Sequence, residues 1–129
     1  MTTKPKLLNP LPIEFDEETH RYIWTPTNET MANSVTSITG FDMPESKRKS
    51  IEQFKHIWAP RGTAVHKALE CFLLETDIPD DTKYDDWIIP LLNHQYFQEF
   101  FKPLAVEYRV VDLKNSIGGT LDAYGIDTR

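Results

Sequence analysis

Two short segments near the start of the chain alternate apolar and polar residues, the apolar ones being Ile13, Phe15, Tyr22 and Trp24. This alternation predicts a β-hairpin over Ile13 to Trp24, with residues 16–19 as its turn. Residues 25–33 form a second turn-rich stretch. The β-branched segment 34–39 fits either a strand or the entry to a helix.

Further along the chain, apolar residues recur at helical spacing. The pattern predicts helices over 46–58, 62–74 and 86–101, the third with a proline in its first turn, where proline is tolerated. Pro60 is expected to end the first of these helices, and Thr63 could cap the second.

The last part of the chain returns to a strand pattern. Residues 106–110 alternate, a turn follows around Asn115, and residues 117–126 form a second strand that pairs with the first. The order of hairpin, helices and strands indicates an α+β (α/β) fold. We expect one domain over residues 1–129, with 1–12 as a flexible leader.

Composition narrows the functional classes only slightly. The single cysteine, Cys71, excludes an intramolecular disulfide and favours the cytoplasm, and neither a signal peptide nor a membrane span is predicted. The net charge of −6 argues weakly against nucleic-acid binding. Acidic residues concentrated in 77–86, an expected linker, account for much of it, and a divalent-metal site also gathers carboxylates.

One group of polar residues opens the second predicted helix. His66 and Glu70 are one helical turn apart and share a face at the rim of the apolar side. Such a face can present a histidine to a site. A plain surface pair explains the same spacing and is the more frequent case.

Two carboxylates lie on the predicted C-terminal strands. Asp122 interrupts an apolar strand flanked by glycines, and an aspartate is costly to bury without a partner or a metal. A solvent-facing position on an edge strand fits it equally well. Glu107 lies on the preceding strand and shares a face with Arg109, with which a surface ion pair is the simpler expectation.

Together these motifs resemble the RecB-like branch of the PD-(D/E)XK nucleases, which includes phage exonucleases. Arg61-Gly62-Thr63-Ala64-Val65-His66 matches its R-G-T-x-x-H helix, and Gly119-Thr120-Leu121-Asp122 matches its G-x-x-D strand. Glu107 is similar to the glutamate of the strand between them. The resemblance implies a restriction-endonuclease-like core sheet, to which the C-terminal hairpin contributes.

The resemblance also implies roles for individual residues. Asp122 and His66 would bind a catalytic Mg²⁺ or Mn²⁺, with Glu107 as a further catalytic carboxylate and Glu70 in a secondary position. DNA would be the partner, and three residues at the helix start would contact its phosphates: Arg61, Thr63 and Lys67.

The family's (D/E)-x-K strand does not follow Asp122. The tripeptide Asp112-Leu113-Lys114 precedes the G-x-x-D motif and is better explained as a charged turn. We therefore expect an N-terminal portion of a nuclease, inactive or weakly active alone. A strand edge exposed at 117–126 could then support a homo-oligomer.

Two alternatives remain open at the level of sequence. One is a non-catalytic module that binds DNA or protein on the same scaffold. The other is an unrelated α+β interaction domain, in which the motifs coincide by chance and the aromatic residues form an ordinary core.

Overall fold

The computed structural model describes residues 7–80 and 82–129. Its strands and helices confirm the α+β class, while the nuclease-like core sheet stays a prediction. In chain order the elements are β1 (Ile13–Asp16), β2 (Arg21–Trp24), β3 (Glu29–Thr30), β4 (Asn33–Ser34), α1 (Val35–Thr39), α2 (Glu45–Gln53), α3 (Lys55–Leu74), α4 (Asp85–Leu92), a π-helical turn (Tyr96–Phe100), β5 (Phe101–Asp112) and β6 (Ile117–Asp127).

The first three strands form an antiparallel sheet in the order β1-β2-β3. Phe15 pairs with Tyr22, as the predicted hairpin requires. The segment that fitted strand or helix divides between them, because Ser34 ends β4 and caps α1 in a reciprocal bond with Ser37. This sheet covers a small core of buried residues, namely Ile13, Tyr22 and Met31.

The second sheet has the strand order β4-β6-β5. β5 and β6 are antiparallel, and the two residues of β4 run parallel to Ile117 and Gly118. The sequence predicted that β6 exposes an edge from Ile117 onward, but β4 covers its first two residues. From Gly119 onward, β6 pairs with β5 alone within the described residues, and oligomerisation through this edge stays a prediction.

The two sheets are tied together at the start of β6. The hydroxyl of Tyr22 lies 2.7 Å from Oγ1 of Thr120. The predicted flexible leader is also partly held, because the N–H of Leu8 donates to the carbonyl of Leu104 and the Tyr108 hydroxyl donates to the carbonyl of Asn9. The flexibility of the leader stays a prediction, and residues 1–6 lie outside the described residues.

The helical region departs from the prediction at Pro60, which does not end a helix. α3 runs through it for 20 residues, and the break from α2 falls at Phe54. A proline removes one helical hydrogen bond, and here the helix continues past that loss. The indole Nε1 of Trp58 bridges the break by donating to the carbonyl of Ile51. The expected cap at Thr63 is wrong, since Thr63 lies inside α3.

α3 packs against α4 through a second core cluster of Ala68, Ile88 and Leu92. The predicted helix 86–101 is too long, because α4 ends at Leu92, whose carbonyl accepts a bond from the Gln98 side chain. Pro90 lies late in α4 rather than in its first turn. No helix in the described part of the chain is long and apolar enough to cross a membrane.

Candidate metal centre and its groove

Three side chains from separate elements converge at one point on the surface. His66 comes from α3, Glu107 from β5 and Asp122 from β6, and one ligand atom of each lies within 4.8 Å of the others. Nδ1 of His66 is 3.1 Å from Oδ1 of Asp122 and 4.0 Å from Oε1 of Glu107. The structure thus brings together the three residues that the sequence predicted as catalytic.

The register of the C-terminal hairpin places the two carboxylates. Val106 pairs with Ala123 and Tyr108 with Leu121, so Glu107 lies across from Asp122, where cross-strand neighbours share a face. Between these pairs the backbone of Glu107 has a positive φ of 49°, a left-handed conformation that is uncommon outside glycine.

The charges around the site oppose the ionisation of one carboxyl group. The pKa of Glu107 is raised, first by partial burial and then by the negative charges of Asp122 and Glu70. His66 and Lys67 act in the opposite direction and do not cancel the effect. A cation placed among these groups would relieve the repulsion between the carboxylates.

The predicted secondary carboxylate, Glu70, is held beside the site rather than within it. Its Oε2 lies 3.4 Å from Nζ of Lys67. His66 is paired with Asp122 on β6, so the helical surface pair between His66 and Glu70 does not form.

The predicted DNA contacts separate into two groups. Lys67 and Thr63 line the groove next to the metal centre. The guanidinium of Arg61 instead lies 4.2 Å from the ring centroid of Trp87 on α4. The expectation that they occupy a helix start is wrong, because α3 begins at Lys55, so the helix dipole offers no attraction for phosphate there.

The β5–β6 hairpin contains two more residues for which the sequence made a prediction, Arg109 and Asp112. Arg109 donates to the carbonyl of Ile13 and is not ion-paired with Glu107 among the described residues. Asp112 ends β5 and accepts two hydrogen bonds from Asn115, which lower its pKa. The Asp112–Lys114 tripeptide is therefore a turn, as predicted, and lies apart from the metal centre.

A shallow, open groove of about 590 Å³ adjoins the candidate centre, lined by α3 and by Glu107 of β5. Its helical side includes Trp58, Gly62, His66 and Glu70, which follow one another at intervals of four residues. The alternative of an unrelated interaction domain placed the aromatic residues, Trp58 among them, in an ordinary core, yet 36% of Trp58 is exposed. The four-residue interval would have revealed this stripe had α3 been predicted as one helix.

A scan of protein-family models, a search of curated proteins and a search of solved structures found no match to this chain.

Proposed function

We propose that this chain belongs to a divalent-metal-dependent nuclease that hydrolyses phosphodiester bonds in DNA. The observation that carries the proposal is the convergence of His66, Glu107 and Asp122 from one helix and two strands. The β5–β6 hairpin brings Glu107 and Asp122 together, but His66 reaches them from a separate helix. A cation bound among the three would offset the repulsion between the two carboxylates.

The donor set fits a hard or borderline divalent ion. Two carboxylates suit Mg²⁺ and Mn²⁺, and an imidazole nitrogen favours Mn²⁺ of the two. Ligand atoms bound to one ion at about 2.1 Å lie about 3–4 Å apart. The distances from Nδ1 of His66, 3.1 and 4.0 Å, fall in this range.

Each residue has a distinct part in the proposed site. Such an ion lowers the pKa of a bound water and stabilises charge on a scissile phosphate. His66 and Asp122 would hold the ion. Glu107, whose pKa is raised by partial burial and by the neighbouring carboxylates, could orient the attacking water and accept its proton. Lys67 would meet a phosphate oxygen from the groove.

The choice of DNA as substrate is supported by the resemblance to RecB-like nucleases. Both of its more specific motifs, Arg61–His66 and Gly119–Asp122, end at a residue of the centre. An exonuclease is the corresponding form of the activity.

Manganese binding measured by calorimetry tests the centre directly. We expect a single Mn²⁺ site that is lost in Asp122→Ala and weakened at least tenfold in His66→Ala. Asp127→Ala is the control, because Asp127 lies on the same strand and pairs with Arg129 instead. Binding that is absent, or unchanged in Asp122→Ala, would contradict the metal centre.

Cleavage of labelled single-stranded and duplex DNA in Mn²⁺ then tests the reaction. Release of nucleotides that requires Asp122 would support a nuclease. Mn²⁺ and DNA binding without cleavage would agree with the weak or absent activity expected of this chain alone and would leave the non-catalytic module as the alternative.

A further inference from the structure

An aromatic residue, a glycine and a histidine line the groove beside the candidate metal centre, one after another along α3. Trp58, Gly62 and His66 are spaced by four residues, so they follow each other along one side of the helix at steps of about 6 Å. The aromatic residue therefore stands about 12 Å from the metal-ligating histidine, with a bare glycine between them.

Trp58 is held in place yet is not buried. Its Nε1 donates to the carbonyl of Ile51 at 2.8 Å, while 36% of the residue stays accessible at the groove. A fixed and accessible indole offers a flat apolar surface at low entropic cost. Nucleic-acid bases stack on such surfaces irrespective of sequence.

Gly62 is not required by the packing of the helix. A Cβ built on it would have no described neighbour within 4 Å, and its φ is not positive. Glycine also weakens a helix interior relative to almost any other residue. Its presence here therefore disfavours the helix and leaves the floor of the groove free for close approach of a ligand.

We propose that this groove is a track for an unpaired DNA strand, with one base stacked on Trp58 and the backbone passing over Gly62 towards the metal centre. The proposal rests on the proposed function and specifies its substrate as single-stranded DNA or a frayed end. Lys67 and Thr63, which line the same groove, would contact the backbone.

Charge and base accessibility favour a single strand over a duplex. The bases of a duplex are stacked inside it and cannot meet an indole face without being extruded. Binding along a duplex also relies on many lysine and arginine contacts to phosphate, whereas this chain has a net charge of −6. A short stacked segment needs few such contacts.

Fluorescence anisotropy of a labelled oligothymidine tests the track, with Ca²⁺ present to neutralise the carboxylates and a duplex of equal length for comparison. We expect the single strand to bind more tightly than the duplex. Trp58→Ala should weaken single-strand binding about tenfold (1.4 kcal/mol) or more. Trp58→Phe should keep most of the affinity, because it retains a stacking face and loses only the bond to Ile51.

Gly62→Leu distinguishes a role of Gly62 in DNA binding from a role in the stability of the helix. Leucine stabilises a helix relative to glycine, so the melting temperature should be unchanged or rise by roughly 2–6 °C. Single-strand binding should nevertheless fall about tenfold or more, because the side chain fills the floor of the groove. Trp87→Ala is the control and should leave single-strand binding unchanged, since Trp87 is exposed on α4 beside Arg61 and does not line the groove.

Several results would overturn the track. These are tighter binding of the duplex, single-strand binding that persists in both Trp58→Ala and Gly62→Leu, or equal loss in Trp58→Phe and Trp58→Ala. A change of oligomeric state in Trp58→Ala without a change in DNA binding would make the indole part of a protein interface instead.

The track and the nuclease proposal can fail separately. Mn²⁺ binding and cleavage that require Asp122 but are insensitive to Trp58 and Gly62 would leave the nuclease without the track. Single-strand binding that depends on Trp58, in a chain that does not bind Mn²⁺, would leave the track without the nuclease.

Discussion

Glu107 lies across the β5–β6 ladder from Asp122, and its backbone is left-handed, with a φ of 49°. Both neighbouring pairs, Val106 with Ala123 and Tyr108 with Leu121, keep the strand register. The distortion is thus confined to the position where the two carboxylates meet. Non-glycine residues in this region of φ are strained by about 1–3 kcal/mol, and such strain clusters at functional sites.

Substitutions at Glu107 should separate backbone strain from charge. Glu107→Gly and Glu107→Gln both remove the carboxylate, but only glycine relieves the left-handed φ. We expect Glu107→Gly to be more stable than Glu107→Gln by about 1 kcal/mol, after allowing for the greater entropy of glycine in the unfolded chain. Urea denaturation of the two variants measures the difference.

Glu14 supplies the control for that comparison. It is an exposed strand residue on β1, and its φ is not positive. Glycine should therefore be less stable than glutamine there, because it weakens a strand. If Glu107→Gly were also the less stable of its pair, the strain would not be real.

The raised pKa of Glu107 predicts a pH-dependent loss of stability. The folded chain holds the proton more tightly than the unfolded chain, whose carboxyl titrates near its ordinary value of 4.5. Folding is therefore favoured at low pH, and this contribution falls as the pH rises from about 4.5 through the higher folded pKa. Over this pH range, the unfolding free energy of the Glu107→Gln variant should increase relative to that of the parent.

Denaturation of both proteins between pH 4 and pH 8 would show the trend, without added metal. Adding Mn²⁺ should reverse it, because a cation favours the ionised carboxylates. A difference between parent and Glu107→Gln that stays constant with pH would refute the electrostatic account of the site.

Two glycines should respond in opposite ways to alanine. A Cβ on Gly118 would lie 2.5 Å from both Cβ and Cγ of Tyr22, which belong to the core and cannot easily move. We expect Gly118→Ala to lose about 1–3 kcal/mol. Gly62→Ala, with open space around it, should gain about 1 kcal/mol from helix propensity. Thermal denaturation tests both, and a loss at Gly62 would show a close contact in that helix.

The bond between Tyr22 and Thr120 should couple the N-terminal sheet to the strand of Asp122. Tyr22→Phe and Thr120→Val should each cost about 1 kcal/mol, and the double variant should lose less than their sum. Additive losses would mean that the 2.7 Å contact does not contribute. The same variants should weaken Mn²⁺ binding slightly, since Thr120 is two residues from Asp122.

The sequence predicted best what depends on short-range alternation. The hairpin of β1 and β2 and the strand β5 follow from their period of two, and β6 was predicted as the hairpin partner of β5. Helix boundaries were poorer, because Pro60 was expected to end a helix, whereas it removes only one helical hydrogen bond and α3 continues through it. At the end of α4 the Gln98 side chain donates to the carbonyl of Leu92, a contact that the helical spacing of apolar residues does not indicate.

The candidate metal centre was predicted from motifs, and its geometry required the fold. That His66, Glu107 and Asp122 meet depends on the strand register and on the packing of α3, neither of which a motif contains. The roles given to Arg61 and Thr63 assumed a helix start at Gly62. Because α3 begins at Lys55, Arg61 lies over the ring of Trp87, and Trp58 lines the groove instead.

The buried residues of α3 all lie towards its end, at Ala68, Cys71 and Leu73. The helix is therefore anchored at its C-terminal end. Trp58 lies on the more exposed N-terminal part, and His66 lies close to the anchored part. Amide hydrogen exchange should be slow beyond Ala68 and faster before it, since local opening follows the density of buried contacts. Because Trp58 is bonded to Ile51 on α2, local opening would move this part of α3 together with α2, so the entrance of the groove would adapt while His66, near the anchored end, keeps its position.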